Sequence, residues 1–142
     1  MAVEHKIEAL IRRAGAGVEG MPRKAIWKAL TEWRLAFASE VEAETGRATH
    51  LGYEWHAFSY GFSRASEGKV AVEAAMEHSP CEYLVLSAWT GVQFGFRCQG
   101  TLTDLRAIRV DMIIVDTDTT WTLVFTHEPG IGPFYASRAR VG

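Results

Sequence analysis

Five histidines and two cysteines are the residues of this 142-residue chain best suited to proton transfer or metal binding. Their surroundings decide which chemistry is open to them. Thr126-His127-Glu128 closes an apolar run and leads into Pro129-Gly130-Ile131-Gly132-Pro133, a stiff turn of the kind that carries function on a rigid base. His56 lies in an aromatic stretch where alternation puts Glu54, His56, Phe58 and Tyr60 on one side and Trp55, Ala57 and Ser59 on the other. If these two stretches are neighbouring strands, His56 and His127 could meet near Glu54 or Glu128 and act as acid and base, or as a two-histidine metal site. The alternative is a pair of hydrogen-bonded structural imidazoles, one on each strand. His5, His50 and His78 read as surface residues. The candidate functional surface is therefore His56, Ser59, Thr126, His127, Glu128 and Tyr135, with no cofactor and no metal assigned to it.

Other catalytic patterns fail on inspection. Gly61 to Val70 contains glycines and a lysine, but a phosphate loop needs Gly-Lys followed by Ser or Thr, and Lys69 is followed by Val70. Ser66-Glu67-Gly68-Lys69 fits S-x-x-K, yet neither S-D-N nor K-T-G follows, and a helix-capping role accounts for Ser66. His127-Glu128 begins like a zinc-protease helix, but position 131 is Ile, and Pro129 with Gly130 forbids a helix there. Cys81 and Cys98 lack CxxC spacing and read as buried free thiols. Asp104, Asp111, Asp116 and Asp118 could hold a cation or a basic partner, though solvated strand ends account for them more simply.

The elements that must position these residues follow from periodicity. Val3, Ile7, Leu10, Ile11 and Ala14 line one face of a short first helix that Gly15 can stop, and Gly15 to Gly20 reads as a flexible connection. After Pro22 a longer helix carries Ile26, Leu30, Trp33, Phe37 and Val41 on its inner face, with Trp27 beside them, and ends at Gly46. Tyr53 to Gly61 reads as a strand. A helix runs from a Ser66 cap to about Glu77, and Tyr83 to Ala88 is a strand covered on both sides, so these three make a βαβ unit. Gln93 to Cys98 and Ile108 to Asp116 are further strands, with a helical turn at Leu105 between them. Thr117 to Thr120 then turn the chain into Trp121 to Thr126, a closing hairpin whose Trp121, Leu123 and Phe125 face is the better buried. The tail from Ser137 has little to bury. The fold class is α+β: two N-terminal helices on a mixed sheet of about five strands, with one inserted helix and a C-terminal hairpin. The chain is a single globular domain, 1–142, with residues 1–21 as first helix and lead-in and 22–136 as the core.

Composition agrees with one ordinary globular domain, at 48% hydrophobic and 23% charged residues. A formal charge of −2 is far from the basic balance that nucleic-acid backbones select, and Arg12, Arg13, Arg23, Lys24 and Lys28 make only a mixed face. The N-terminus resembles no signal segment, and no apolar run approaches the roughly 20 residues of a membrane span. The expected location is cytoplasmic.

With these residues placed, the sequence resembles an uncharacterised bacterial family, domain of unknown function 4275. The similar segments are Trp55-His56-Ala57-Phe58-Ser59-Tyr60, Cys81-Glu82-Tyr83-Leu84, Met112-Ile113-Ile114-Val115-Asp116, and Trp121 to Glu128 followed by Gly132-Pro133-Phe134-Tyr135. They run in the same order from about Pro22 to Ala136. The chain departs from the family form in reading Phe134-Tyr135 where Tyr-Phe is usual, and in its glycine-rich lead-in. The resemblance implies a compact cytoplasmic bacterial protein and attention to His56, His127 and Glu128, and it assigns no catalytic roles. The leading expectation is a non-catalytic protein-binding module of the immunity or inhibitor type, meeting a toxin-like protein or an enzyme through an aromatic and acidic surface. The alternative is a small enzyme, or a metal- or ligand-binding domain, using His56 and His127 with Glu128. A structural or regulatory subunit is a third class. The chain is expected to be a monomer or homodimer, with no nucleic acid and no membrane among its partners.

Overall fold

The computed structural model describes residues 2–38, 66–87, 94–127 and 130–138. Helix α1, Val3–Arg13, follows the expected stripe: Ile7 and Ile11 are fully buried, while Glu4 in the first turn and Arg12 and Arg13 in the last complement the helix dipole. It stops where expected, because Gly15 adopts a φ of +104° that side-chain-bearing residues resist. Gly15 to Gly20, expected as a flexible connection, instead contributes strand β1, Gly17–Gly20. The Arg12 guanidinium holds this strand in place by donating to the Val18 carbonyl at 2.8 Å.

Helix α2, Arg23–Trp33, begins at Pro22, whose carbonyl accepts from the Ile26 amide, and continues as a π-helical turn over Arg34–Ala38. Ile26, Leu30, Trp33 and Phe37 are buried as their spacing requires. Val41 and Gly46, the expected end of this helix, lie outside the described residues, as does the expected strand Tyr53 to Gly61.

The remaining elements are β2 (Ser66–Glu67), α3 (Lys69–Met76), β3 (Cys81–Ser87), β4 (Gly95–Gly100), a 3-10 turn (Arg106–Ile108), β5 (Met112–Asp116), β6 (Trp121–Phe125) and β7 (Phe134–Ser137). Ser66 does not cap α3. It pairs with Tyr135 in a two-residue strand, and the helix starts from Gly68, whose φ of 74° turns the chain without a side-chain cap. The fold class is α+β; among the described residues the sheet has seven strands rather than about five, ordered β1-β4-β3-β5-β6-β7-β2, and each of their pairings is antiparallel where a mixed sheet was expected.

Helices cover both faces of this sheet. Ile26, Leu30 and Trp33 of α2, with Phe37 of the π-helical turn, pack on Leu84, Leu86, Ile113, Val115 and Val124. Ile7 and Ile11 of α1, with Ala71 and Ala75 of α3, pack on Tyr83, Val85, Ile114, Leu123 and Phe125 on the other side. Double coverage explains why β6 is buried at all five positions, where alternation predicted one better-buried face. Even Thr122 is enclosed, with its hydroxyl donating to the Ile114 carbonyl at 2.7 Å and accepting from the Trp33 indole at 2.9 Å. Beyond the expected closing hairpin, β7 pairs with β6 on one side and with β2 on the other, and its last residue, Ser137, is exposed as the reading of the tail from Ser137 expects.

Candidate functional site

The register Met112↔Phe125 sets Asp111 and the residues after Phe125 side by side at the open end of the β5–β6 hairpin. Asp111 is not a solvated strand end as its composition suggested. Its side chain is fully buried, and it ties the first residue of one strand's approach to the last of the other's exit. Oδ1 accepts from the His127 backbone N–H at 2.8 Å, and both carboxylate oxygens lie 2.9 Å from His127 Nδ1. Where the carboxylate is ionised it can only accept, which makes Nδ1 the donor of this pair and Nε2 the nitrogen left for other contacts. The imidazole is 35% exposed and forms part of a pocket wall.

That pocket has a volume of about 180 Å³ and is lined by Arg106, Arg109, His127, the Phe125–Thr126 strand end and the Gly130–Pro133 turn. The turn is held by Thr126, whose hydroxyl donates to the Ile131 carbonyl at 2.7 Å, and by Glu67, which accepts from the Gly132 amide at 3.0 Å. Gly132 suits its place doubly: its φ is +74°, and an added Cβ would come within 3.1 Å of Thr126 and 3.3 Å of the Phe134 ring. Opposite, the 3-10 turn presents the two arginines. Asp104 clamps Arg106, taking Nε at 2.9 Å and 3.1 Å and Nη2 at 2.7 Å. This pairing pushes the Arg106 guanidinium still further above its ordinary range. Arg109 closes the turn in the left-handed region, at φ 56° and ψ 51°.

Of the expected site residues, Thr126 and His127 stand at this pocket, and His127 finds its carboxylate in Asp111. His56, Ser59 and Glu128 lie outside the described residues, so the expected meeting of His56 with His127 does too. Among the described residues no group of three or more His, Cys, Asp or Glu is placed to hold a metal ion. Tyr135 does not line the pocket. Its hydroxyl is 2.8 Å from His78 Nε2, and His78 stacks on Trp121 with ring centres 4.5 Å apart and planes 4° from parallel. Burial pushes the Tyr135 phenol up, against the hydrogen bond with Ser137 and with help from the Glu77 and Asp116 charges. His78 is exposed as expected, yet it has these two aromatic partners.

Asp111, Arg106 and Arg109 are the residues that periodicity did not single out. The signal for Asp111 was in the hairpin register, since a turn at Thr117 to Thr120 already brings it level with Thr126; the two arginines had no such signal.

Among the described residues, no helix is long and apolar enough to cross a membrane. No curated protein matches the chain, and no solved structure does. One family model does match, over residues 23–135, a span that includes Asp111, the pocket and α2 but leaves out α1 and β1. The chain therefore belongs to the family described as Domain of unknown function (DUF4275).

Proposed function

We propose that this chain is a small-ligand-binding protein whose working site is the pocket at the open end of the β5–β6 hairpin, with His127 as its proton-exchanging group. One observation carries this reading: a fully buried carboxylate, Asp111, holds Nδ1 of an imidazole that lines a pocket. A carboxylate behind a histidine fixes its tautomer and orientation and stabilises the cation formed when Nε2 takes a proton. The same group placed in a protein core would serve only to join two strand ends. The pocket wall is what gives the ring something to act on.

A titration of the 15N-labelled chain with a fragment library tests the reading. Binders are expected to move the amide signals of Thr126, His127, Ile131 and Gly132, and to bind more weakly to His127→Gln. A library whose binders all map elsewhere, or a His127→Gln variant that binds them unchanged, overturns it.

Docking of a protein partner, as an immunity or inhibitor protein would, is the second reading, and it has a separate support. His78 and Tyr135 present an aromatic pair beside Glu77 and Asp116, the aromatic and acidic character that such a surface requires. Co-expression with the product of an adjacent toxin-like gene is expected to give a complex on size exclusion that Tyr135→Ala weakens. No shift in elution with such a neighbour counts against this reading.

A further inference from the structure

We propose that the ligand of this pocket carries an oxyanion, phosphate or carboxylate, received by Arg109 and supported by Arg106. The inference rests on the reading that the pocket is the working site, and it names the chemical class of what enters. Among the described residues, every ionisable side chain that lines the pocket is a cation or can become one: Arg106, Arg109 and His127. The nearby carboxylates are turned to other duties. Asp111 sits behind the imidazole, accepting from its Nδ1 and from the His127 backbone, Asp104 grips Arg106, and Glu67 accepts from the Gly132 amide.

The two guanidiniums differ in a way that assigns their parts. Arg106 is fixed by a two-oxygen clamp and is a preset charge. Arg109 is exposed and has no carboxylate partner among the described residues. It also occupies a left-handed backbone position that glycine would fill with less strain, so the residue found there is the one the turn geometry alone would not select. A planar fork of N–H donors at a pocket mouth matches an oxyanion's paired oxygens.

The remaining walls limit the rest of the ligand. Phe125, Ile131 and Pro133 are apolar, and about 180 Å³ falls below the roughly 300–1,000 Å³ typical of drug-sized sites. A charged head on a short apolar body fits, and a nucleotide does not.

The test uses the full chain at constant ionic strength, titrated with inorganic phosphate, phenyl phosphate, acetate and benzoate, with chloride and neutral benzamide as controls. Saturable shifts at Arg109, His127 and Gly130 to Gly132 are expected for the oxyanions and not for chloride. The ratio of phosphate to carboxylate affinity then shows which headgroup the site takes. Arg109→Gly is the decisive variant, because glycine accepts the left-handed backbone and the fold is kept while the guanidinium is lost. It is expected to weaken oxyanion binding about tenfold or more with Tm unchanged or raised. Oxyanions that never saturate, or an Arg109→Gly variant that binds them as the parent does, overturn the proposal. Neutral fragments filling the pocket while oxyanions fail would reject this ligand class and leave the pocket reading standing. No binder of any kind at the pocket would remove both.

Discussion

At the residue scale the structure turns on Asp111. It was one of four aspartates of similar standing in the sequence, and nothing in its immediate neighbours separates it from Asp116 or Asp118. Only pairing across the hairpin shows that it faces His127, whereas His127 was legible because it ends an apolar run beside a glycine-proline turn. Asp111→Ala leaves two donors of His127 without their acceptor and is expected to cost about 1–3 kcal/mol in urea unfolding. Asp111→Asn is the finer probe. Its amide can present a donor to Nδ1, so the neutral ring is expected to change tautomer, from Nδ1–H in the parent to Nε2–H in the variant. Nitrogen-15 shifts of the His127 ring read this directly, and an unchanged tautomer would show that the carboxylate does not set it.

At the scale of elements, the long amphipathic pieces were the legible ones. Helices α1 and α2 and strands β3 and β5 follow their apolar spacing because each buries enough surface to dictate its own period, and β6 was legible as a strand although not in which face it buries. The short pieces were not. β2 is two residues long and exists because β7 lies beside it, and the Ser66 cap gave way to a glycine turn at Gly68. β1 likewise takes its extended form from pairing with β4, so three glycines nearby misled about its order. The seat of α2 on the sheet depends on one absent side chain: a Cβ at Gly95 would lie 2.6 Å from Cγ1 of Ile26 and 3.3 Å from Leu86. Gly95→Ala is expected to destabilise the fold by about 1–3 kcal/mol through overpacking, seen as a lower urea midpoint. Trimming Ile26 to Ala in the same chain should recover part of that loss.

At the scale of the molecule, the strand order was out of reach of periodicity, since β1 pairs with β4 and β2 with β7 across long stretches of sequence. The family match begins at residue 23, yet α1 supplies Ile7 and Ile11 to the core. Deleting residues 1–21 removes about 1.5–3 kcal/mol of burial for each isoleucine, and Tm is expected to fall by roughly 10 °C or more. Alkaline stability gives another whole-chain test. Burial pushes the Cys98 thiol up to about 12, with the Tyr83 hydroxyl and Arg12 pulling the other way, and burial raises Tyr83 as well. Above the unfolded thiol range, near pH 8.5, the unfolded chain has lost a proton that the folded chain keeps, so stability falls as pH rises towards the folded value. Urea midpoints are expected to drop between about pH 8.5 and 11, with a shallower slope in Cys98→Ala. An equal slope in that variant would place the effect elsewhere.

The guanidinium of Arg12 on the Val18 carbonyl has an outcome beyond anchoring a strand. It occupies an acceptor on the outermost strand at one margin of the sheet, while the opposite margin is only two residues long. Among the described residues, neither side offers a foreign chain a long row of open amides and carbonyls to copy. Concentrated solutions of the folded protein are thus expected to resist fibril growth, a resistance that Arg12→Ala would erode.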